Sequence, residues 1–191
     1  MKLSPVLKDE FYRPLVTILL PGALATFPYV LLLNNYFPEV ERYRAQQDFV
    51  YYALLFLAVL GVGLILEDIG ARIESGWDKL LIRKNQECAD LEETWWKYLA
   101  LTYDKEPIGQ GYLRSILLRM KFELSGGVAM LVCAAGLAWL WCEGWYVGTR
   151  LLVGASLSLL ALAFYLFWES YRGAALLARV RRVLVQNAGP H

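Results

Sequence analysis

The sequence predicts an all-α fold of the polytopic membrane class: four transmembrane helices, with helices two, three and four extending into a small cytoplasmic helical domain. Composition is the first observation behind this prediction, since 58% of the 191 residues are hydrophobic and only 19% are charged. Soluble domains are usually about half apolar and about a quarter charged. The second observation is where the charges fall, and the third is which segments hold the Lys and Arg residues.

Four stretches of the chain contain no Asp, Glu, Lys or Arg. They cover residues 14–38, 49–66, 124–142 and 151–168, named here spans 1 to 4. Each is close to the ~20 residues that an α-helix needs to cross ~30 Å of hydrocarbon. One such stretch could be a core helix of a soluble protein, but four in a chain of 191 residues leave too little sequence to cover them. We therefore predict that all four are transmembrane helices.

The basic residues predict the orientation of the chain. Sixteen of the nineteen Lys and Arg residues precede span 1, separate spans 2 and 3, or follow span 4. The other three, Arg42, Arg44 and Arg150, lie in the two remaining loops. Because loops rich in Lys and Arg stay in the cytoplasm, we expect both termini and the central segment to lie inside the cell, with the spans in its inner (plasma) membrane.

Span 1 contains three prolines at seven-residue intervals, Pro14, Pro21 and Pro28, which share nearly one helix face. A proline inside a helix removes a backbone donor and kinks the helix. The carbonyls that it frees need a protein or water partner within a membrane. The prolines are therefore a candidate hinge or pore-lining face, and the alternative is that neighbouring helices absorb the kinks.

An acidic stripe begins where span 2 ends, and its carboxylates recur at helical spacing: Glu67, Asp68, Glu74 and Asp78. In a symmetric oligomer Glu67 or Glu74 would form an acidic ring at a pore mouth, and two of the four carboxylates could hold Mg²⁺ or Ca²⁺. The favoured interpretation is ion pairing where the helix leaves the lipid, as between Asp68 and its i,i+4 neighbour. The candidate charge partners are Arg72, Arg114, Arg119 and Lys121.

Helical periodicity continues outside the spans. Between residues 77 and 120 the apolar residues recur at three- and four-residue intervals, interrupted by a Pro- and Gly-containing turn signal at 104–111. The alternative for this segment is an amphipathic helix on the membrane surface, which its acidic residues disfavour. We expect two regions: a transmembrane four-helix bundle of residues 1–66 and 124–170, and a cytoplasmic helical extension of residues 67–123 and 171–191.

Small residues in spans 2, 3 and 4 predict close contacts between helices, because helices in lipid associate through packing rather than through hydrophobic burial. These residues are Gly61, Gly63, Ser125, Gly126, Ala129, Gly136, Gly154, Ser156 and Ser158. Whether they serve folding, oligomerisation or both stays open from the sequence.

Residue types that build most catalytic and metal sites are scarce. The only histidine is His191, and the three cysteines, Cys88, Cys133 and Cys142, show no paired metal-ligand spacing. There is no Gly-rich phosphate-binding loop, and a net charge of +1 gives no basic field for nucleic acid. We predict no catalytic residue, no metal site, no cofactor and no direct nucleic-acid partner.

These observations predict a non-enzymatic membrane subunit that forms a homo-oligomer in the lipid bilayer. It would act as an ion channel or membrane-perturbing component, or as a sensor or anchor for a soluble cytoplasmic protein. Small helical membrane proteins of this layout recur as membrane subunits of bacterial stress or antiviral defence systems, which is an analogy of architecture. Two alternatives stay open: a membrane-embedded, metal-dependent enzyme that acts on lipid headgroups through the acidic stripe, and an inert structural tether.

Overall fold

The computed structural model describes residues 15–84, 108–144 and 148–187, and nearly all of them are helical. A π-helical turn, Leu15–Leu19, leads into the first helix. The helices are α1 (Leu20–Tyr36), α2 (Pro38–Gln46), α3 (Asp48–Lys84), α4 (Ile108–Cys142) and α5 (Thr149–Asn187). The predictions for Pro14, Cys88, His191 and the first half of the turn at 104–111 lie outside the described residues.

Four helical segments are long and apolar enough to cross a membrane, judged by length and composition. They are Leu15–Tyr36, Asp48–Arg83, Tyr112–Cys142 and Arg150–Val180. Each contains most or all of one charge-free stretch, so the prediction of an all-α fold with four long apolar helices is confirmed. The helices α3, α4 and α5 have 37, 35 and 39 residues and run without a break from the charge-free stretches into charged sequence.

The short helix α2 lies in a loop for which the sequence analysis predicted no element. Pro38 occupies its first turn, where the missing proline N–H is not needed. Glu39 and Glu41 in the first turn and Arg44 in the last turn complement the helix dipole. Since α2 buries none of its residues, these signals at its two ends account for it, and hydrophobic periodicity could not have revealed it.

The central helix of the bundle is α4. Within the 18-residue apolar stretch that makes each helix a candidate span, half of the α4 residues are buried, compared with 11% in α3 and 6% in α5. Three buried clusters follow one another along α4 and include Met120, Ala129 and Leu140. The first cluster joins α4 to α3 and α5, and the other two add α1. The core therefore lies around α4, and the outer faces of α3 and α5 stay uncovered by the residues that the structure describes.

Two glycines allow the backbones of α1 and α3 to touch. A Cβ on Gly63 of α3 would collide with the carbonyl oxygen of Ile18, in the π-helical turn. A Cβ on Gly22 of α1 would collide with the carbonyl oxygen of Val59. Glycine is therefore required on both helices at this crossing, as is typical of close helix pairs in membranes.

Candidate functional site

The acidic stripe lies along α3, and its first two carboxylates face different neighbours. Asp68 accepts hydrogen bonds from Arg72 one turn later, with Arg72 Nη2 2.8 Å from Asp68 Oδ2, and both side chains are exposed. Glu67 faces α4, where Lys121 Nζ lies 3.9 Å from Glu67 Oε1. Each of the two carboxylates therefore has a cation of the same chain beside it.

The other two members of the stripe, Glu74 and Asp78, are half-buried farther along α3. Both engage in polar or electrostatic interactions, as does Arg114, which is exposed on α4. The four carboxylates extend over about three turns of one helix instead of meeting at one point. Within residues 15–84, 108–144 and 148–187, no three His, Cys, Asp or Glu side chains form a group that could hold a metal ion.

The proline face of α1 points into protein. Pro21 lies in the first turn of α1, directly after the π-helical turn, and Pro28 lies inside the helix; both are buried. The ring of Pro28 packs on Gly136 of α4, where an added Cβ would lie 2.5 Å from Pro28 Cγ. At Pro28, therefore, the face that the sequence presents as a candidate hinge is in close contact with the central helix.

A charged cluster that the sequence analysis did not single out joins α4 to α5. Arg119 donates from Nε to Glu123 Oε1 at 2.7 Å and from Nη2 to Glu169 Oε1 at 3.0 Å. Arg172 Nη1 lies 3.4 Å from Oε2 of Glu169. Arg119, a candidate partner of the acidic stripe, thus lies on the α5 side of α4 and bridges two other carboxylates. We name these four residues the arginine–glutamate cluster.

Glu123 is the buried member of this cluster, with only 5% of its surface exposed. Burial removes water from a carboxylate, and this cost is offset only when a cation and hydrogen bonds replace the water. Arg119 supplies both from the preceding turn, while its own side chain stays 63% exposed. The buried carboxylate therefore holds the guanidinium of Arg119 at a fixed place on the surface between the two helices.

Small residues bring α4 and α5 together on both sides of the cluster. A Cβ on Gly127, one turn after Glu123, would lie 3.2 Å from the ring of Phe167. A Cβ on Gly173, one turn after Glu169, would lie 3.8 Å from the Cβ of Met120. This close approach is what allows Arg119 to reach the glutamate on the neighbouring helix.

An open groove of about 480 Å³ lies beside the cluster, between α4 and α5. Apolar side chains such as Ile116 and Leu176 form part of its wall. Its charged lining consists of three arginines and two glutamates: Arg119, Arg172, Arg179, Glu123 and Glu169. The groove therefore has a net positive charge, and it is open enough to admit a ligand from the side.

A signal in the sequence could have identified the cluster. Glu123 directly precedes span 3 and Glu169 directly follows span 4, so both carboxylates border a charge-free stretch. In two antiparallel neighbouring helices these borders lie at the same level. Each glutamate also has an arginine three or four residues away on its own helix, at the spacing of a helical ion pair. The candidate carboxylates predicted from the sequence were the four of the acidic stripe, and Glu123 and Glu169 were not among them.

Comparison of the chain with protein-family models, with curated proteins and with solved structures gives no match. We therefore infer function from the residues of this chain and their contacts.

Proposed function

We propose that this chain is a non-enzymatic, multi-pass protein of the inner (plasma) membrane that self-associates and holds a soluble partner at the cytoplasmic face. In this proposal the four candidate spans cross the lipid, and both termini and the segment between α3 and α4 lie inside the cell. The observation that carries it is the exposure of α5, since only 6% of an 18-residue apolar stretch of this helix is buried.

The exposed surface of α5 supports insertion into lipid. Leu151 and Phe164 are each 73% exposed, and Leu157 between them is exposed as well. The outer face of α3 adds further exposed apolar side chains, such as Leu57. Soluble monomers rarely leave continuous apolar surface of this extent in water. Lipid tails and a second subunit are the two environments that would cover it.

The same face of α5 supports self-association. Gly154 and Ser158 are small residues four positions apart, and no heavy atom of the described residues lies within 4 Å of a Cβ placed on Gly154. Ser158 donates its hydroxyl to the carbonyl of Gly154 at 2.8 Å, so its donor is satisfied without water. Two small residues at this spacing let helix backbones approach closely in a membrane. Gly63 makes contacts within the chain, whereas the open surface at Gly154 would contact a second subunit.

The acidic stripe supports a structural role in preference to catalysis. Asp68 and Glu67 lie beside Arg72 and Lys121 of the same chain, which would compete with a catalytic metal for these carboxylates. The continuations of α3, α4 and α5 beyond the charge-free stretches would form a helical surface of mixed charge that suits docking of a soluble protein. By analogy of architecture alone, we propose a bacterial stress or antiviral defence system as the setting.

Membrane insertion is tested first, by fractionating cells that express the full chain. We expect the protein to stay in the membrane pellet after an alkaline carbonate wash and to be released only by detergent. Recovery of the intact chain from the aqueous fraction without detergent would overturn the proposal.

Self-association is tested by light scattering of the detergent-purified protein, with the detergent mass subtracted. We expect at least two copies per particle for the wild type and single copies for the double variant Gly154→Leu/Ser158→Leu. Gly61→Leu is the matched control, because Gly61 is equally open but lies on α3. A monomeric wild type, or a double variant that associates normally, would contradict the proposed interface. Ion flux from liposomes then separates a channel from an anchor.

A further inference from the structure

We propose that the groove between α4 and α5 binds the phosphate group of an anionic phospholipid from the inner leaflet. This inference rests on the membrane insertion proposed above and adds a ligand to it. The binding groups are the exposed guanidiniums of the arginine–glutamate cluster together with Arg179. The acyl chains of the lipid would continue along the apolar outer surface of α5.

The level of the groove along the helices matches the level of phospholipid headgroups. Glu123 and Glu169 each adjoin a charge-free stretch, so the cluster borders the proposed hydrocarbon layer on both helices. Trp168 and Tyr165, next to the cluster on α5, are 66% and 57% exposed. Amphipathic aromatic rings of this kind concentrate at the headgroup level of membranes. A lipid phosphate beside α5 would therefore already lie at the height of the arginines.

The arginines keep donors for an oxyanion. Arg119 uses Nε and Nη2 on the two glutamates, and Arg172 uses Nη1 on Glu169, so each has further N–H groups to donate. Arg179 lies two turns after Arg172 on the same helix and forms no ion pair or side-chain hydrogen bond with the part of the chain described here. Guanidinium groups bind phosphate oxygens through charge-assisted and often bidentate hydrogen bonds.

The charge balance favours an anionic headgroup over a zwitterionic one. Three arginines and two glutamates line the groove, which leaves one positive charge without a counter-charge in it. The phosphate of phosphatidylglycerol would neutralise this charge. The choline group of phosphatidylcholine would place a further positive charge beside the guanidinium groups, which would repel it. Basic pockets between helices at the cytoplasmic side of a membrane bind anionic headgroups on this principle.

Native mass spectrometry of the full-length protein in detergent tests the proposal, with phosphatidylglycerol and phosphatidylcholine titrated separately. We expect tighter binding of phosphatidylglycerol, and a loss of about fivefold for each of Arg172→Gln and Arg179→Gln, the scale of one basic residue near an anionic lipid. Arg119 is left unchanged because Glu123 depends on it. Arg150→Gln, at the opposite end of α5, is the matched control and should bind as the wild type does.

Two results would overturn the inference. The first is phosphatidylglycerol affinity that is unchanged in the double variant Arg172→Gln/Arg179→Gln, or reduced as much by Arg150→Gln. The second is full displacement of the lipid by an equal concentration of glycerol 3-phosphate or inorganic phosphate, which would make the ligand a soluble phosphate. Circular dichroism of each variant confirms folding. If the protein remains in membranes but shows no preference between the two lipids, only this inference fails. If the intact chain is recovered from the aqueous fraction, the proposed function fails as well.

Discussion

Replacing Gly63 with alanine tests the contact between α1 and α3 most directly. The added Cβ would overlap the backbone carbonyl oxygen of Ile18, which cannot rotate away as the end of a side chain would. The two helices would have to move apart. Gly61 lies two residues earlier on α3, and no described atom lies within 4 Å of a Cβ placed on it. Gly61→Ala is therefore a matched control at nearly the same depth.

The expected change in the free energy of unfolding follows from two opposing effects. Alanine is favoured over glycine in a helix by up to about 1 kcal/mol, and this gain is common to both variants. Forcing a methyl group into a close-packed contact costs about 1–3 kcal/mol. Separating the packed surfaces by only about 0.5–1 Å already loses a quarter to a half of their dispersion energy. Gly63→Ala should therefore be less stable than Gly61→Ala by about 1–3 kcal/mol.

The free energy of unfolding is measured by titrating SDS into mixed micelles while following tryptophan fluorescence and helical circular dichroism. We expect the unfolding midpoint of Gly63→Ala to lie well below that of Gly61→Ala, and the midpoint of Gly61→Ala to lie at or above that of the wild type. Equal midpoints for the two alanine variants would refute the reasoning, because they would mean that Gly63 and Ile18 are not in contact.

The same titration tests two ion pairs, and a labelling experiment tests the orientation. Arg119→Ala leaves the buried carboxylate of Glu123 without its cation, and we expect a loss of about 1–3 kcal/mol in unfolding free energy, smaller in Arg119→Lys. Asp68→Asn removes only an exposed pair on α3 and should change that free energy by less than about 0.5 kcal/mol. A membrane-impermeant maleimide added to intact cells should label Cys142, at the exposed end of α4, and not Cys88.

Each of these predictions has a result that contradicts it. An Arg119→Ala variant as stable as the wild type would mean that water or another group solvates the buried carboxylate. A loss of more than about 1 kcal/mol in Asp68→Asn would give the acidic stripe a role beyond an exposed ion pair, since such pairs contribute roughly 0–1 kcal/mol. Labelling that requires permeabilised cells and disappears in Cys142→Ser would reverse the proposed orientation.

Features that depend on single residues and their neighbours in sequence could be predicted without the fold. The hydropathy of each side chain and the spacing of charges are enough to identify the four long apolar helices. Local periodicity also anticipated that α3, α4 and α5 continue into charged sequence. The short helix α2 was missed because it buries nothing and so has no apolar period, although Pro38 and the charges at its ends favour a helix.

The candidate site depended on how the helices pack. The partners of Arg119 follow from the rotation of α4, which turns this side chain toward α5 and turns Lys121 toward α3. Some glycines, such as Gly63, contact another helix of the chain, and others, such as Gly154, are open. Neighbouring residues in the sequence likewise do not predict which glycine is of which kind. The sequence by itself determined which segments are apolar helices, because hydropathy belongs to each residue. Only the tertiary structure decided which carboxylate is buried and which small residues touch, because these depend on the relative rotation and depth of helices far apart in the chain.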